Sequence, residues 1–143
     1  MGSMASGDVV ALPVRLHGIE LGRSVELIVD LDVRRVLGFE VRCGDDAHRF
    51  LPLAAARVRD GEIAIGSPLT LLDELPFYHS RGHRLAALRG ARVAAARDEL
   101  GTLRAVAFED DGSICELVVA TPTGDSRIRP GADVRVATHV SAA

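Results

Sequence analysis

The sequence predicts an all-β fold, two small β-barrels in tandem joined by a short helix. Two observations carry that expectation. Apolar and polar residues alternate in short runs broken by Gly- and Asp-rich turns, the pattern of antiparallel strands with one wet face. The chain also repeats itself: Val14, Glu20, Leu21 and Gly22 recur 79 positions later as Val93, Glu99, Leu100 and Gly101, and segments 31–41 and 109–119 then align at an offset of 78. Repeats of a few tens of residues signal solenoids, whereas a unit of about seventy present twice reads as a duplicated small domain.

The elements follow in order. Residues 1–8 read as a disordered leader, with Met1-Gly2-Ser3-Met4 resembling an expression scar before a native Met4. The first unit is assigned to 9–66. Residues 9–16 form a strand that ends at the His17-Gly18 turn, and 24–31 form a second strand rich in Val, Ile and Leu. Asp32-Val33-Arg34-Arg35 is too polar to continue it. Strand 36–43 resumes with Leu37, Phe39, Val41 and Cys43 expected on one face and Val36, Gly38, Glu40 and Arg42 on the other. Residues 48–53 give a short strand, 52–58 one helical turn, and 61–65 the closing strand. The linker is 67–84. Ser67 and Pro68 suit an N-cap and a first helical position, so a helix carrying Leu69, Leu71, Leu72 and Leu75 is expected, ended by Pro76. The second unit, 85–138, repeats the hairpin around Asp110-Asp111-Gly112-Ser113 and closes at 131–136, leaving 139–143 as a tail.

Composition bounds the function. Two independent units of about 70 residues would each be marginal, because a small domain buries only about 60% of the surface its chain exposes; the repeats are therefore expected to pack together. No run of 18 or more apolar residues is present, so direct membrane insertion is not expected, and no signal peptide is evident, so a cytoplasmic location is. Cys43 and Cys115 share strand phase with apolar neighbours and are expected to be buried as small hydrophobes. All 17 basic residues are arginine, and the net charge is −3, which argues against a dedicated DNA or RNA binder while allowing a local basic patch.

Glu20-Leu21-Gly22-Arg23 leading into an apolar hairpin, then Phe50 to Val58 with its Leu51-Pro52-Leu53 core, and Gly61-Glu62-Ile63-Ala64-Ile65, resemble the PRC-barrel, a small β-barrel named for the photosynthetic reaction centre. The second copy, from Leu88-Arg89-Gly90-Ala91-Arg92-Val93 to Val119, is similar to the opening of that domain, but it lacks the Leu-Pro-Leu segment. The resemblance implies docking. Such barrels occur in the H subunit of the reaction centre, covering its cytoplasmic face, and in the bacterial factor that matures the small ribosomal subunit, where the domain contributes to binding a ribosomal protein. This chain shows neither the transmembrane helix of the first nor the dissimilar N-terminal barrel of the second, and a fold alone assigns no function.

Candidate chemistry is sparse. His79 and His83 have the i, i+4 spacing that suits zinc on a helix, but Gly82 and Pro76 break the helical context and no third ligand is close in sequence. Asp45-Asp46-Ala47-His48 offers carboxylate and imidazole for acid–base work, against the plainer reading of a solvated turn. Asp30, Asp32, Glu109, Asp110 and Asp111 could form an acidic site only if the two turns met. No phosphate loop, nucleophile elbow or Cys-x-x-Cys pair occurs, so neither catalysis nor a cofactor is expected.

The expected role is a non-enzymatic protein-interaction or adaptor module of a cytoplasmic complex. Its partner surface is assigned to Phe77, Tyr78, His79, Arg81, His83 and Arg84, the aromatic and arginine types that anchor interfaces. The alternative is a ribosome- or RNA-associated assembly factor using Arg81, Arg84, Arg89, Arg92, Arg97 and Arg104. A third reading is a small-molecule or metal site between the units. The stripe Leu69, Leu71, Leu72, Leu75 and Phe77 is expected to cover the junction of the units, and exposed strand edges leave room for a homodimer.

Overall fold

The structure, a computed structural model, describes residues 3–137. It is mostly β, with curled half-barrel sheets. The described chain opens with a two-residue strand β1 (Met4–Ala5) and a single helical turn α1 (Ser6–Val9). The first sheet is built from β2 (Pro13–Leu16), β3 (Ile19–Asp30), β4 (Arg35–Cys43), β5 (His48–Pro52), β6 (Ala56–Arg59) and β7 (Glu62–Ile65), in the order β5-β4-β3-β2-β7-β6. The linker carries α2 (Leu75–Arg81), then β8 (His83–Arg84) and a turn α3 (Leu85–Leu88). The second sheet runs β12-β11-β10-β9-β13, from β9 (Arg92–Ala95), β10 (Asp98–Phe108), β11 (Ile114–Thr121), β12 (Gly124–Ile128) and β13 (Val134–Val136).

The sequence repeat is a repeat of strand register. In the β3–β4 hairpin Ser24 pairs Val41, Leu27 pairs Phe39 and Val29 pairs Val36; in β10–β11 the pairs are Leu103 with Val119, Val106 with Leu117 and Phe108 with Ile114. The irregularities recur as well. Val25 and Leu37 stand unpaired as bulges in the first hairpin, and Arg104 and Cys115 in the second. A third bulge explains why Glu-Leu-Gly is written twice. Leu21 and Leu100 are skipped in the β2–β3 and β9–β10 pairings, and the glycine that follows lies flat on the neighbouring strand. A Cβ on Gly22 would meet the Arg42 carbonyl oxygen at 2.5 Å and Val41 Cγ1 at 2.9 Å; on Gly101 it would meet the Ala120 carbonyl and Val119 Cγ1. Bulges bend a strand and sharpen its twist, which is how short sheets curl.

The repeat extends further toward the N-terminus than the sequence reading placed it. β1 pairs not with its own half but with β10, Met4 opposite Phe108; β8 pairs with β3, His83 opposite Val29. These pairings are mutual images, so each half lends its first strand to the other. Residues 4–8, expected as part of a disordered leader, are thus in regular elements, and Ser6 is fully buried where its Oγ accepts the Val106 amide at 3.1 Å. The hairpin turns meet in the same two-fold manner: Val36 N–H donates to the Gly112 carbonyl (2.8 Å) and Ile114 N–H to the Arg34 carbonyl (3.0 Å). One hydrophobic core contains Leu27, Val29 and Phe39 from the first sheet with Val106, Phe108 and Leu117 from the second.

Three local expectations are corrected. Bulging at Leu37 turns Val36 inward and sends Leu37 to the outer face, so Leu37 does not share a face with Phe39 and Val41. Cys115 occupies the equivalent bulge and is half-buried, while Cys43 is buried. Ser67 does cap a turn, accepting the Leu69 amide at 3.1 Å, but the turn is one 3-10 winding over Pro68–Thr70. The helix itself starts later, and Pro76 lies in its first turn, where its missing N–H has no intrahelical partner to lose.

Candidate functional site

The outer face of the first sheet is where the linker settles. Glu40 on β4 pairs with Glu26 on β3 and Phe50 on β5, and Ile28 pairs with Gly38, so these side chains share one face. Leu72 joins the sheet edge through two backbone bonds with Phe50, of 2.9 and 2.8 Å. Leu75, Ile28 and Phe50 then form a small buried cluster, against which Leu37, Leu72 and Tyr78 pack. Tyr78 stacks on Phe50 with centroids 3.7 Å apart and planes 11° from parallel. Leu72 and Leu75 therefore cover the outer face of one sheet, Leu71 packs against the main core, and Leu69 is left 84% exposed, so the stripe does not act as one cover over the junction of the halves. Gly82 ends α2 close against β3, where a Cβ would sit 2.8 Å from the Val29 carbonyl oxygen, and this close approach lets β8 dock.

At the end of this face lies a charged cluster that the sequence did not reveal. Glu40 is buried, its side chain 6% exposed. His48 Nδ1 lies 2.5 Å from Oε2, His79 Nε2 lies 3.0 Å from Oε1, and Arg84 Nε is 3.4 Å from Oε1. A carboxylate only accepts, so the two ring nitrogens facing it carry the protons. Burial pushes the Glu40 carboxyl up, but hydrogen bonds from His48 and His79 and the nearby Arg84 charge outweigh it, holding its pKa below the usual glutamate range. The cluster joins β4, β5, α2 and β8, which makes it a clamp for the linker. With Arg84 already beside the carboxylate, a cation has a competing charge at the same oxygen, and among the described residues no group of three or more His, Cys, Asp or Glu is arranged to hold a metal ion.

The six residues assigned to a partner surface divide between this clamp and the solvent. His79 and Arg84 hold Glu40, and Tyr78 is half-buried on Phe50. Phe77 is 50% exposed, touches Tyr78 edge-on with centroids 5.1 Å apart, and carries the Arg81 guanidinium 4.8 Å above its ring. His83 is exposed on β8, beyond the end of α2, so it shares no helical face with His79.

Of the six arginines of the basic segment, Arg81 stacks on Phe77, Arg84 holds Glu40, and Arg92 and Arg97 line one surface hollow with Arg135. Arg92 and Arg104 face Glu99 and Asp125 at 3.6 and 3.4 Å, and Arg89 and Arg97 are exposed. Asp45 is engaged by Arg49, whose hydrogen bonds hold its carboxyl below the usual range, and His48 turns to Glu40 instead of to the aspartates. The acidic turns do meet, yet Asp30 and Asp111 close their own turns by accepting the Asp32 and Ser113 amides, both at 2.9 Å.

Sequence reasoning missed Glu40 and Phe50 as site residues. An outward glutamate on a half-wet strand is ordinary, and its partners lie 8, 39 and 44 positions away, as the numbers of His48, His79 and Arg84 show. The one available signal was the repeat itself, since the counterpart of Glu40 in the second hairpin is Val118. No protein-family model and no curated protein matches this chain.

Proposed function

We propose that this chain is a non-enzymatic interaction module made of two PRC-barrel-like units, which docks a protein partner through the exposed side of α2. The observation that carries this reading is Phe77 with Arg81 stacked over it, displayed on a short helix whose opposite side is fixed by the Phe50–Tyr78 stack and the Glu40 clamp. Aromatic residues and arginine are enriched at interface cores, and an anchor whose helix is already fixed in place loses less entropy on binding. Tyr78, His79 and Arg84 act as its support.

The test is capture from a lysate of the source cells with Phe77→Ala and Arg81→Ala variants, each first shown to unfold like the parent. Proteins retained by the parent after nuclease treatment and lost with either variant support the adaptor. An identical captured set from parent and variants sinks it, and a set abolished by nuclease alone favours the RNA-associated alternative instead.

A further inference from the structure

The internal two-fold supplies a control for the space beside the two hairpins, because β3, β4 and β5 have counterparts in β10, β11 and β12. Val36 and Phe39 correspond to Ile114 and Leu117, Gly112 to Arg34, and Met4 to His83. Beside Val36 and Phe39 the space is filled by the chain itself: Leu53 is buried there, with its Cδ2 3.1 Å from where a Gly112 Cβ would stand, and Ala55, Ala56 and Val58 pack onto the same core. The second half lacks that segment. Between β12 and β13 it has only Arg129 to Asp133, and Pro130 stands where Leu53 would.

Among the described residues, what remains is a cleft of about 390 Å³ with Ile114, Leu117 and Val134 along its floor. Its rim holds Arg34, His83 and Arg135 against a single carboxylate, Asp32; the Arg135 guanidinium also donates to the Ala96 carbonyl. Arg34 is fixed across the mouth, donating to the Val134 carbonyl at 3.1 Å. The volume falls within the roughly 300–1,000 Å³ of small-ligand sites, and an apolar floor under a net cationic rim selects both ends of a ligand.

We infer that this cleft binds a small amphipathic carboxylate, whose apolar body takes the place that Leu53 fills in the first half while its anionic end meets His83 and the rim arginines. The inference is independent of the adaptor reading, since neither Phe77 nor Arg81 lines the cleft.

The test titrates octanoate into the full chain and follows methyl and amide NMR signals, with octylamine as the charge-reversed control. Expected are saturable shifts confined to Ile114, Leu117 and Val134 with a Kd on the order of 1 mM or tighter, octylamine binding at least about tenfold more weakly. A His83→Ala/Arg135→Ala double variant, altered at exposed side chains and losing only the bond from Arg135 to the Ala96 carbonyl, should weaken octanoate about tenfold. Pro130→Leu, which restores the first half's residue, should abolish binding. Shifts that fail to saturate or scatter over the surface, equal binding of octylamine, or indifference to the double variant would each overturn the proposal. The double variant decides the matter even if Pro130→Leu does not fold.

Discussion

Ala11 and Gly90 occupy equivalent places before β2 and β9, and both have positive φ, 70° and 84°. Each amide there donates across to the same β-strand position, Ala11 to the Ser24 carbonyl and Gly90 to that of Leu103. Alanine is strained in that conformation and glycine is not. We therefore expect Gly90→Ala to lower stability by about 1 kcal/mol and Ala11→Gly to be neutral or stabilising, as read by urea unfolding; a Gly90→Ala protein as stable as the parent would contradict the equivalence. Glu40 makes a second residue-scale case. Its folded pKa lies below the usual value of 4.5, so its contribution is complete above that value and is lost as pH falls through the folded pKa. Glu40→Gln should cost about 2 kcal/mol at neutral pH, the scale of hydrogen bonds to a charged group. The gap between variant and parent should shrink on acidification below 4.5. Parallel pH profiles for the two proteins would remove Glu40 from the clamp.

At the scale of elements, strands were legible and exchanges were not. Alternation and Gly/Asp turns place β4 and β5 near their observed bounds and the second hairpin turn between β10 and β11, because each strand has one wet face and one buried face; β3 starts at Ile19, five residues before the expected strand, because the Glu20-Leu21-Gly22 bulge continues the strand instead of breaking it. The face assignment fails at Leu37 and Cys115, where a one-residue bulge reverses the phase and leaves no mark in the residue types. The linker helix was misplaced because Ser67-Pro68 and Leu75-Pro76 are both acceptable starts; burial against Ile28 and Phe50 selects the second. β1 and α1 were invisible, being held by long-range bonds that local pattern cannot contain. Ser6 tests that exchange. The Val106 amide is buried and bonded to Ser6 Oγ, whereas the equivalent Leu27 amide donates to Glu26 Oε1 at 2.9 Å, freeing position 85 to be leucine. Ser6→Ala should therefore cost about 1–3 kcal/mol, the penalty of an orphaned buried donor. It should also speed hydrogen exchange at Val106 ahead of neighbouring amides, and an unchanged exchange rate there would mean that α1 does not seal β10.

For the whole molecule, the repeat foretold two related halves, and the need of small units to pack together foretold their contact. The manner of contact was not legible, since reciprocal strand exchange depends on pairings such as Met4 with Phe108, separated by 104 positions in the numbering. Its consequence is that neither half has a complete core: Val9 from before β2 and Leu85 from before β9 lie in the same buried cluster as both sheets. Two domains folded separately would unfold separately, whereas halves that finish each other should unfold together. We expect one cooperative urea transition for the full chain, coincident by far-ultraviolet dichroism and by the near-ultraviolet signal of Tyr78. Residues 1–82 and 83–143 made as separate chains should fail to give that transition singly. Mixed, they should recover it as a one-to-one complex, because the hairpin bonds between Val36 and Gly112 and between Ile114 and Arg34 need no peptide link. Fragments that each unfold cooperatively as monomers, and ignore one another in light scattering, would show instead that the halves are independent and that the exchange contributes nothing to folding.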